Sequence, residues 1–376
     1  MISHRGPAIR SVAPLLAAVL LASAGGPPAP TPPPRAVAND NRAPAGRLRR
    51  DSLELHLVVE LAEWRPEGND RPAVVVPAVA EEGRSPSVPG PLVRVREGTV
   101  IVATIRNALP DSTIAVHGLV TRPAAADDSV TLRPGDSRRV TFVAGAPGTY
   151  FYFANIGHRD FVKDDERETA SGAFVVDPRA GSPPDRIWVL NIWGHTVDSS
   201  SYQNALAING RSWPLTEPIT LDVGDTVRWR VINPTVRPHP MHLHGFFFRV
   251  DARGNALVDT VYAADRRMDE VTESMWPFST YDMTWSPDRP GNWVYHCHIA
   301  YHVTDFATLE PPPPTGRDPR AMADDPRVHM AGLVLGITVR PRAGAKAAPP
   351  ETRHLDLYVD RGARRGAAPD PMGYVV

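Results

Sequence analysis

Four residues able to bind a soft metal fall within seven positions of the run "WVYHCHIAYHVTDFATLEPPPP" (Trp293 to Pro314): His296, Cys297, His298 and His302. A second run, "RPHPMHLHGFFF", supplies His239, His242 and His244. Imidazole and thiolate are the donors that suit a redox-active copper or a zinc ion, so both runs point to metal chemistry. In an extended strand, alternate side chains share a face. His242 and His244 therefore share one face, as do His296 and His298, while Cys297 points to the other. Turns at Pro238 and Pro240, and after His298, are expected to aim His239 and His302 toward that other face.

Pairing the two runs gives one group of His239, Cys297 and His302, and beside it a group of His242, His244, His296 and His298. The first has the two-imidazole, one-thiolate composition of a blue copper centre, and the second, all imidazole, suits a copper cluster. A buried histidine can equally be a core residue, and a buried cysteine can behave as a small hydrophobe. Seven ligand-type residues at strand spacing favour the metal, and a thiolate lying between two cluster-type histidines favours copper over zinc.

The elements that must position these residues read as strands. Short alternating runs separated by Gly, Pro, Asn and Asp recur, as in "LDVGDTVRWRVINP" (Leu221 to Pro234), so the chain is expected to be all-β. At 376 residues it has room for two domains. The expected organisation is a signal peptide at 1–24, a disordered Pro/Ala-rich spacer at 25–50, domains at 51–180 and 181–342, and a tail at 343–376. "VREGTVIVATIRNALP" (Val95 to Pro110) echoes "LDVGDTVRWRVINP", which points to a duplicated Greek-key β-sandwich. The tail "HLDLYVDRGARRGAAPDPMGYVV" resembles the opening of the first domain and reads as a stray strand or the start of a third domain.

Arg5 and Arg10 precede an apolar stretch ending in Ala22-Ser23-Ala24, the pattern of a secretory signal, so a secreted or periplasmic protein is expected, with no membrane attachment after cleavage. With 41 Lys and Arg against 42 Asp and Glu, nucleic acid and anionic membranes are not expected partners. Cys297 is the single cysteine and cannot pair within the chain, so a metal is the expected occupant of its thiolate.

"HPMHLHG" and "HCHIAYH" resemble the third and fourth copper motifs of the multicopper oxidases, the laccase and ceruloplasmin group built from cupredoxin domains. "PGPLVRVREGTVIVATIRNAL" (Pro89 to Leu109) resembles the strand that leads to the first motif. The resemblance spans roughly residues 50–342. It implies type 1 copper at His239, Cys297 and His302, a type 2 ligand at His242, and type 3 ligands at His244, His296 and His298. It implies electron flow from a phenolic, amine or metal-ion donor through Cys297, His296 and His298 toward an interdomain cluster and O2. The two-domain members further imply a homotrimer with the cluster between subunits.

The first domain departs from this pattern. Ala115-Val116-His117-Gly118 keeps only the second histidine of the first motif, and "GTYFYFAN" carries Phe153 and Asn155 where the second motif has histidines. The first-domain ligand set therefore reduces to His117, with His158 a weak substitute. The expected cluster is reduced or absent, and a non-catalytic type 1 electron-transfer or copper-binding protein becomes the alternative function. A copper nitrite reductase is disfavoured, because that family carries type 1 copper in its first domain, where this chain has no cysteine.

The family's axial ligand stands five positions after the last motif histidine, which here is Ala307, a residue that cannot coordinate. Further on, "HMAGLVLGITV" (His329 to Val339) shows Met330, one residue, Gly332 and an apolar strand. The expected axial ligand is Met330, displaced by an inserted proline-rich loop.

Overall fold

The computed structural model describes residues 32–120, 128–156, 165–166, 169–196, 202–309 and 330–342. The expected signal peptide, His158, the proline-rich part of the insertion (310–329) and the tail from 343 lie outside the described residues. Among the described residues no helix is long and apolar enough to cross a membrane.

The chain is all-β, as its alternating runs predict. In the first half a seven-stranded sheet runs in the order Val37–Ala38, Ser87–Val88, Val74–Glu81, Ser52–Trp64, Val100–Asn107, Ser137–Val143, with Arg47–Arg49 also paired to Ser52–Trp64. A five-stranded sheet of Gly90–Arg96, Ser171–Asp177, Gly148–Ile156, Ile114–His117 and Ser129–Leu132 accompanies it. Leu53, Leu55, Leu57, Tyr150, Tyr152 and Phe174 belong to one buried cluster drawn from both sheets.

The second half repeats the plan. An eight-stranded sheet contains, in order, Asp165–Glu166, Arg186–Thr196, Val227–Asn233, Ser279–Trp285, Phe248–Asn255 and Asp259–Val261, with two side strands. Its partner orders Ile219–Asp222, Val334–Arg340, Gly291–Cys297, His239–Leu243 and Thr272–Met275. The alternation of Val227–Asn233 is realised, with Val227, Trp229 and Val231 buried and Arg228 and Arg230 half-buried. Trp229 meets Trp188, Trp285 and Tyr295 edge-on, with ring centroids 5.6, 5.3 and 5.2 Å away. Such aromatic contacts add to the burial term, and the Trp229–Tyr295 pair joins this sheet to the five-stranded one that carries the metal-type residues.

The expected disordered spacer is wrong for residues 32–50. Val37–Ala38 pairs in parallel with Ser87–Val88, Arg47–Arg49 pairs with Ser52–Glu54, and Ala36, Asn41 and Ala45 are buried. The physical reason is edge pairing: a segment poor in large apolar residues still orders when its backbone groups complete existing sheet edges. Asn41 adds a buried hydrogen bond of 2.9 Å to Asn209, which ties the segment to the second half.

Arg94 bridges Asp177 and Asp185, and Arg230 bridges Asp185 and Asp282, at 2.7 to 2.9 Å. Alternating charge lets these partly buried ions satisfy one another, and the chain joins strands of the first half to strands of the second.

Candidate metal centre

The central geometry is local to the last sheet. His239–Leu243 pairs antiparallel with Gly291–Cys297, with Met241 opposite Cys297 and His242 opposite His296. His239, Met241 and Leu243 are buried while His242 is half-buried, so strand parity alone separates His239 from His242. The expected turn at Pro238 and Pro240 is not what redirects His239, since the strand already begins at His239. His302 does arrive by a turn, the single helical turn Ala300–His302.

His239, Cys297 and His302 converge with no exposure at all, 0 % each. Their ligand atoms all lie within 4.8 Å of one another. The two Nδ1 atoms are 3.1 Å apart, and Cys297 Sγ lies 3.4 Å from His302 Nδ1 and 3.8 Å from His239 Nδ1.

Side chains outside the triad set the orientation of His239. Asn233 Oδ1 accepts hydrogen bonds from the Thr235 amide at 3.1 Å and the Thr235 hydroxyl at 2.8 Å. With its proton committed there, the Thr235 oxygen is left to accept from His239 Nε2–H, 3.0 Å away. That fixes the tautomer and turns the Nδ1 lone pair toward Cys297 and His302, the arrangement a metal requires. Asn107, at the matching place in the first-half echo, accepts from the amide of Leu109 at 3.0 Å, but leucine has no hydroxyl to pass the contact on. Sequence reasoning did not single out Asn233 or Thr235; the Asn-Pro echo was the available signal.

Electrostatics match. Burial, with the charge of Arg237, holds His239 down to about 3; burial, His239 and Arg237 hold His302 down to about 2. Both imidazoles are therefore neutral at physiological pH. Burial pushes the Cys297 thiol up to about 12, so ionising it requires a cation in the site. Two neutral imidazoles with converging Nδ1 atoms and one thiol fit a thiophilic redox ion, and copper fits this donor set.

The segment Ala331 to Leu333 lies against the site. The Ala331 amide donates to Val303 at 2.9 Å, Leu333 to His302 at 3.2 Å, and Cys297 to Leu333 at 3.1 Å. Gly332 sits at φ +62°, and a Cβ there would lie 2.4 Å from the His302 carbonyl oxygen and 2.8 Å from the fully buried Ala307. Only glycine suits this approach. Met330 is half-buried at the head of the same segment, directly before Ala331.

On the opposite face the remaining histidines gather. His244 and His296 approach with their Nε2 atoms 2.8 Å apart, and the ring of His242 lies 4.8 Å from those of His244 and His298. His242 Nδ1 is engaged by the Thr272 hydroxyl at 2.8 Å, and His296 Nδ1 by the Cys297 carbonyl at 2.7 Å. Burial, then the neighbouring imidazoles, lowers His242; burial, with opposing and assisting neighbours, holds His296 down to about 4. His244 is lowered as well, by burial and His298.

His117 is brought to none of these. It pairs across the sheet with Phe153, and the two rings stack with centroids 4.8 Å apart at 13°. Ala115 pairs with Asn155, whose amide lies 3.3 Å from His117 Nε2. The three non-ligating positions thus surround His117 with a benzene ring, a methyl group and an amide. This face does not fit a histidine-held cluster. Of the other histidines, His56 lies between Glu54 and Glu82 at the surface, and His195 is exposed. In the run from Asp269 to Gly291, which is rich in Met and aromatic residues, Met275, Tyr281, Met283 and Trp285 are core, whereas Trp276 is 74 % exposed.

Residues 83–181 and 183–306 each match a sequence profile of the family described as multicopper oxidase. A probable nitrite reductase-hydroxylamine oxidoreductase fusion protein of Kuenenia stuttgartiensis is 29 % identical over 249 residues, 59 % of this chain and 27 % of that protein. Copper resistance protein A of Pseudomonas syringae pv. tomato is 31 % identical over 124 residues, 33 % of this chain and 18 % of its own length. The chain thus spans well under half the length of either relative. Among solved structures, the blue copper oxidase from Nitrosomonas europaea superposes with a TM-score of 0.57 at 23 % identity, covering 77 % of this chain and 86 % of that one, a likeness of fold. The matched profiles, the all-β cupredoxin-type architecture and the His-Cys-His group lead to one conclusion: the chain belongs to the multicopper oxidase family.

Proposed function

We propose that this copper oxidoreductase takes single electrons from a small donor, a phenol, an aromatic amine or a metal ion, at a copper that His239, Cys297, His302 and Met330 would hold. The observation that carries the reading is the convergence of two neutral imidazole Nδ1 atoms and one thiol in a fully buried pocket. Copper, when bound there, supplies a one-electron couple. The chain's own residues do the rest. Thr235 orients His239, the buried pocket keeps water from the thiolate, and Gly332 lets the closing segment lie against His302. Cys297 also links covalently to His296, and the His296 Nδ1–H donates to the Cys297 carbonyl at 2.7 Å, a bonded path along which electrons would pass toward the four-histidine face.

At that face the ligands of the second half stand together while those of the first half are replaced. The copper complement is therefore proposed to be smaller than the family's full set, with no step assigned to a complete cluster. The 2.8 Å contact of His244 and His296 favours a second reading in which these two imidazoles would hold a redox metal able to supply electrons to O2. The rival reading, electron transfer or copper binding at the type 1 site alone, rests on Ala115, Phe153 and Asn155. A nitrite-reductase role, suggested by one relative's name, is opposed by the position of Cys297 in the second half. Further proposals are domains at 51–180 and 181–342, export to the periplasm or outside from the N-terminal pattern, and a homotrimer in which His117 of one copy faces the four histidines of the next.

The test is anaerobic bleaching. Copper-loaded protein should be blue and lose that absorption with a phenolic donor, and Cys297→Ser should show neither. A wild type that stays oxidised with donors of all three classes refutes the oxidoreductase reading. Oxygen uptake after bleaching selects the second reading, and its absence selects electron transfer alone.

A further inference from the structure

Strand parity sets two rows of side chains on the face of the eight-stranded sheet opposite buried Trp229. In one row Arg230 stands across from Asp282. In the next, two residues along, Arg228 stands across from Thr284, and Thr284 across from Arg249. A neutral hydroxyl thus occupies the place that a carboxylate holds in the neighbouring row. With Ser182 and Pro183, from the segment between the two halves, these rows line a cleft of about 310 Å³.

The charges in the cleft are unevenly matched: four guanidiniums face three carboxylates. Asp185 accepts from Arg94 at 2.7 Å and from Arg230 at 2.8 Å. Asp282 accepts from Arg230 at 2.9 Å and from the Thr149 hydroxyl at 2.6 Å. Asp251 accepts from Arg249 Nε at 2.7 Å and from the Thr284 hydroxyl, with Arg267 Nε 3.5 Å away. Every carboxylate is therefore already shared. Among the described residues, half-buried Arg228 makes no hydrogen bond and no ion pair, so the excess positive charge sits there. Arg249 and Arg267 commit only Nε, the latter to the Tyr262 carbonyl at 3.1 Å, which leaves their Nη amines for a ligand.

We propose that this cleft is a binding site for a doubly charged oxyanion of the phosphate class, free or as a small ester, held between Arg228 and Arg249 above Thr284. The two backbones lie two strand spacings apart, about 10 Å, a gap that arginine side chains close from either side. A guanidinium offers paired donors that match phosphate oxygens, and it stays charged at any physiological pH. The low-dielectric walls of a cleft strengthen that attraction. The inference is independent of the copper reading, since none of these residues belongs to the His-Cys-His group.

The test is calorimetric titration of the full chain with inorganic phosphate, glycerol 3-phosphate and acetate at constant ionic strength. Phosphate should bind saturably at about one per chain, and Arg228→Gln should weaken it at least about 10-fold. Arg228→Lys, which keeps the charge without the fork, should weaken it less. Arg47→Gln, at an exposed arginine on a first-half strand, should leave it unchanged. Tighter binding of glycerol 3-phosphate assigns the site to an ester, and weaker binding to the free ion.

No saturable heat, equal weakening by Arg228→Gln and Arg47→Gln, or acetate binding as tightly as phosphate overturns the proposal. If Arg228→Gln does not fold, the wild type still decides. Phosphate should then raise the unfolding midpoint with a saturating dependence that chloride and acetate lack. A rise that never saturates reflects exclusion of the salt from the surface and overturns it.

Discussion

Acid should weaken the metal-free fold through two identified imidazoles. His239 and His302 are fully buried and held near 3 and 2, whereas a histidine in an unfolded chain titrates near its ordinary value of 6.5. Below 6.5 the unfolded chain binds protons that the folded chain refuses, so stability is present above that value and is lost as pH falls. Each group contributes a slope of about 1.4 kcal/mol per pH unit once the unfolded histidine is charged, which gives about 4 kcal/mol for the pair between pH 7 and pH 5. That is a large part of the stability of an ordinary domain. Other groups titrate in the same window. Asp259, raised by burial and by Asp282 to about 7, acts in the opposite sense, because its folded form holds a proton that the unfolded form releases. A variant carrying His239→Gln and His302→Gln isolates the effect. Urea unfolding of both metal-free proteins at pH 7 and pH 5 should show the difference between them shifting by about 4 kcal/mol, with the wild type losing more on acidification. A difference that is the same at both pH values would refute the neutral, buried pair.

Three further outcomes follow from the same site. Thr235→Val removes the acceptor for His239 Nε2–H and should weaken copper binding about 10- to 100-fold with the fold retained, read by competition against a chelator. Gly332→Ala forces a Cβ toward the His302 carbonyl at positive φ and should cost at least about 1 kcal/mol in thermal or urea unfolding, with an altered blue absorption. Met330→Leu should raise the reduction potential and perturb the blue absorption, whereas an unchanged spectrum removes Met330 from the ligand set.

Much of the centre was legible because strand parity is a strict code. The spacing of His239, His242 and His244, and of His296, Cys297 and His298, already assigns residues to opposite faces, and the register of Met241 with Cys297 and His242 with His296 carries that assignment into three dimensions. The deficit in the first half was equally legible, and the register adds that its lost positions are cross-strand neighbours of one another and of His117. The ordering of residues 32–50 was not legible, because edge hydrogen bonds leave no mark on composition. Nor was Thr235 visible as a site residue. Its role depends on a turn closed by Asn233, whose side chain makes four hydrogen bonds that no hydrophobic period encodes.

The central claim is an intact thiolate centre beside an incomplete cluster, and copper content measured together with blue absorption on the same sample tests it most directly. The account predicts about one blue copper per chain, abolished by Cys297→Ser, with total copper short of the family's full complement. A full complement, sustained together with oxygen uptake on a phenolic donor, would contradict it and would mean that other residues complete the face around His117.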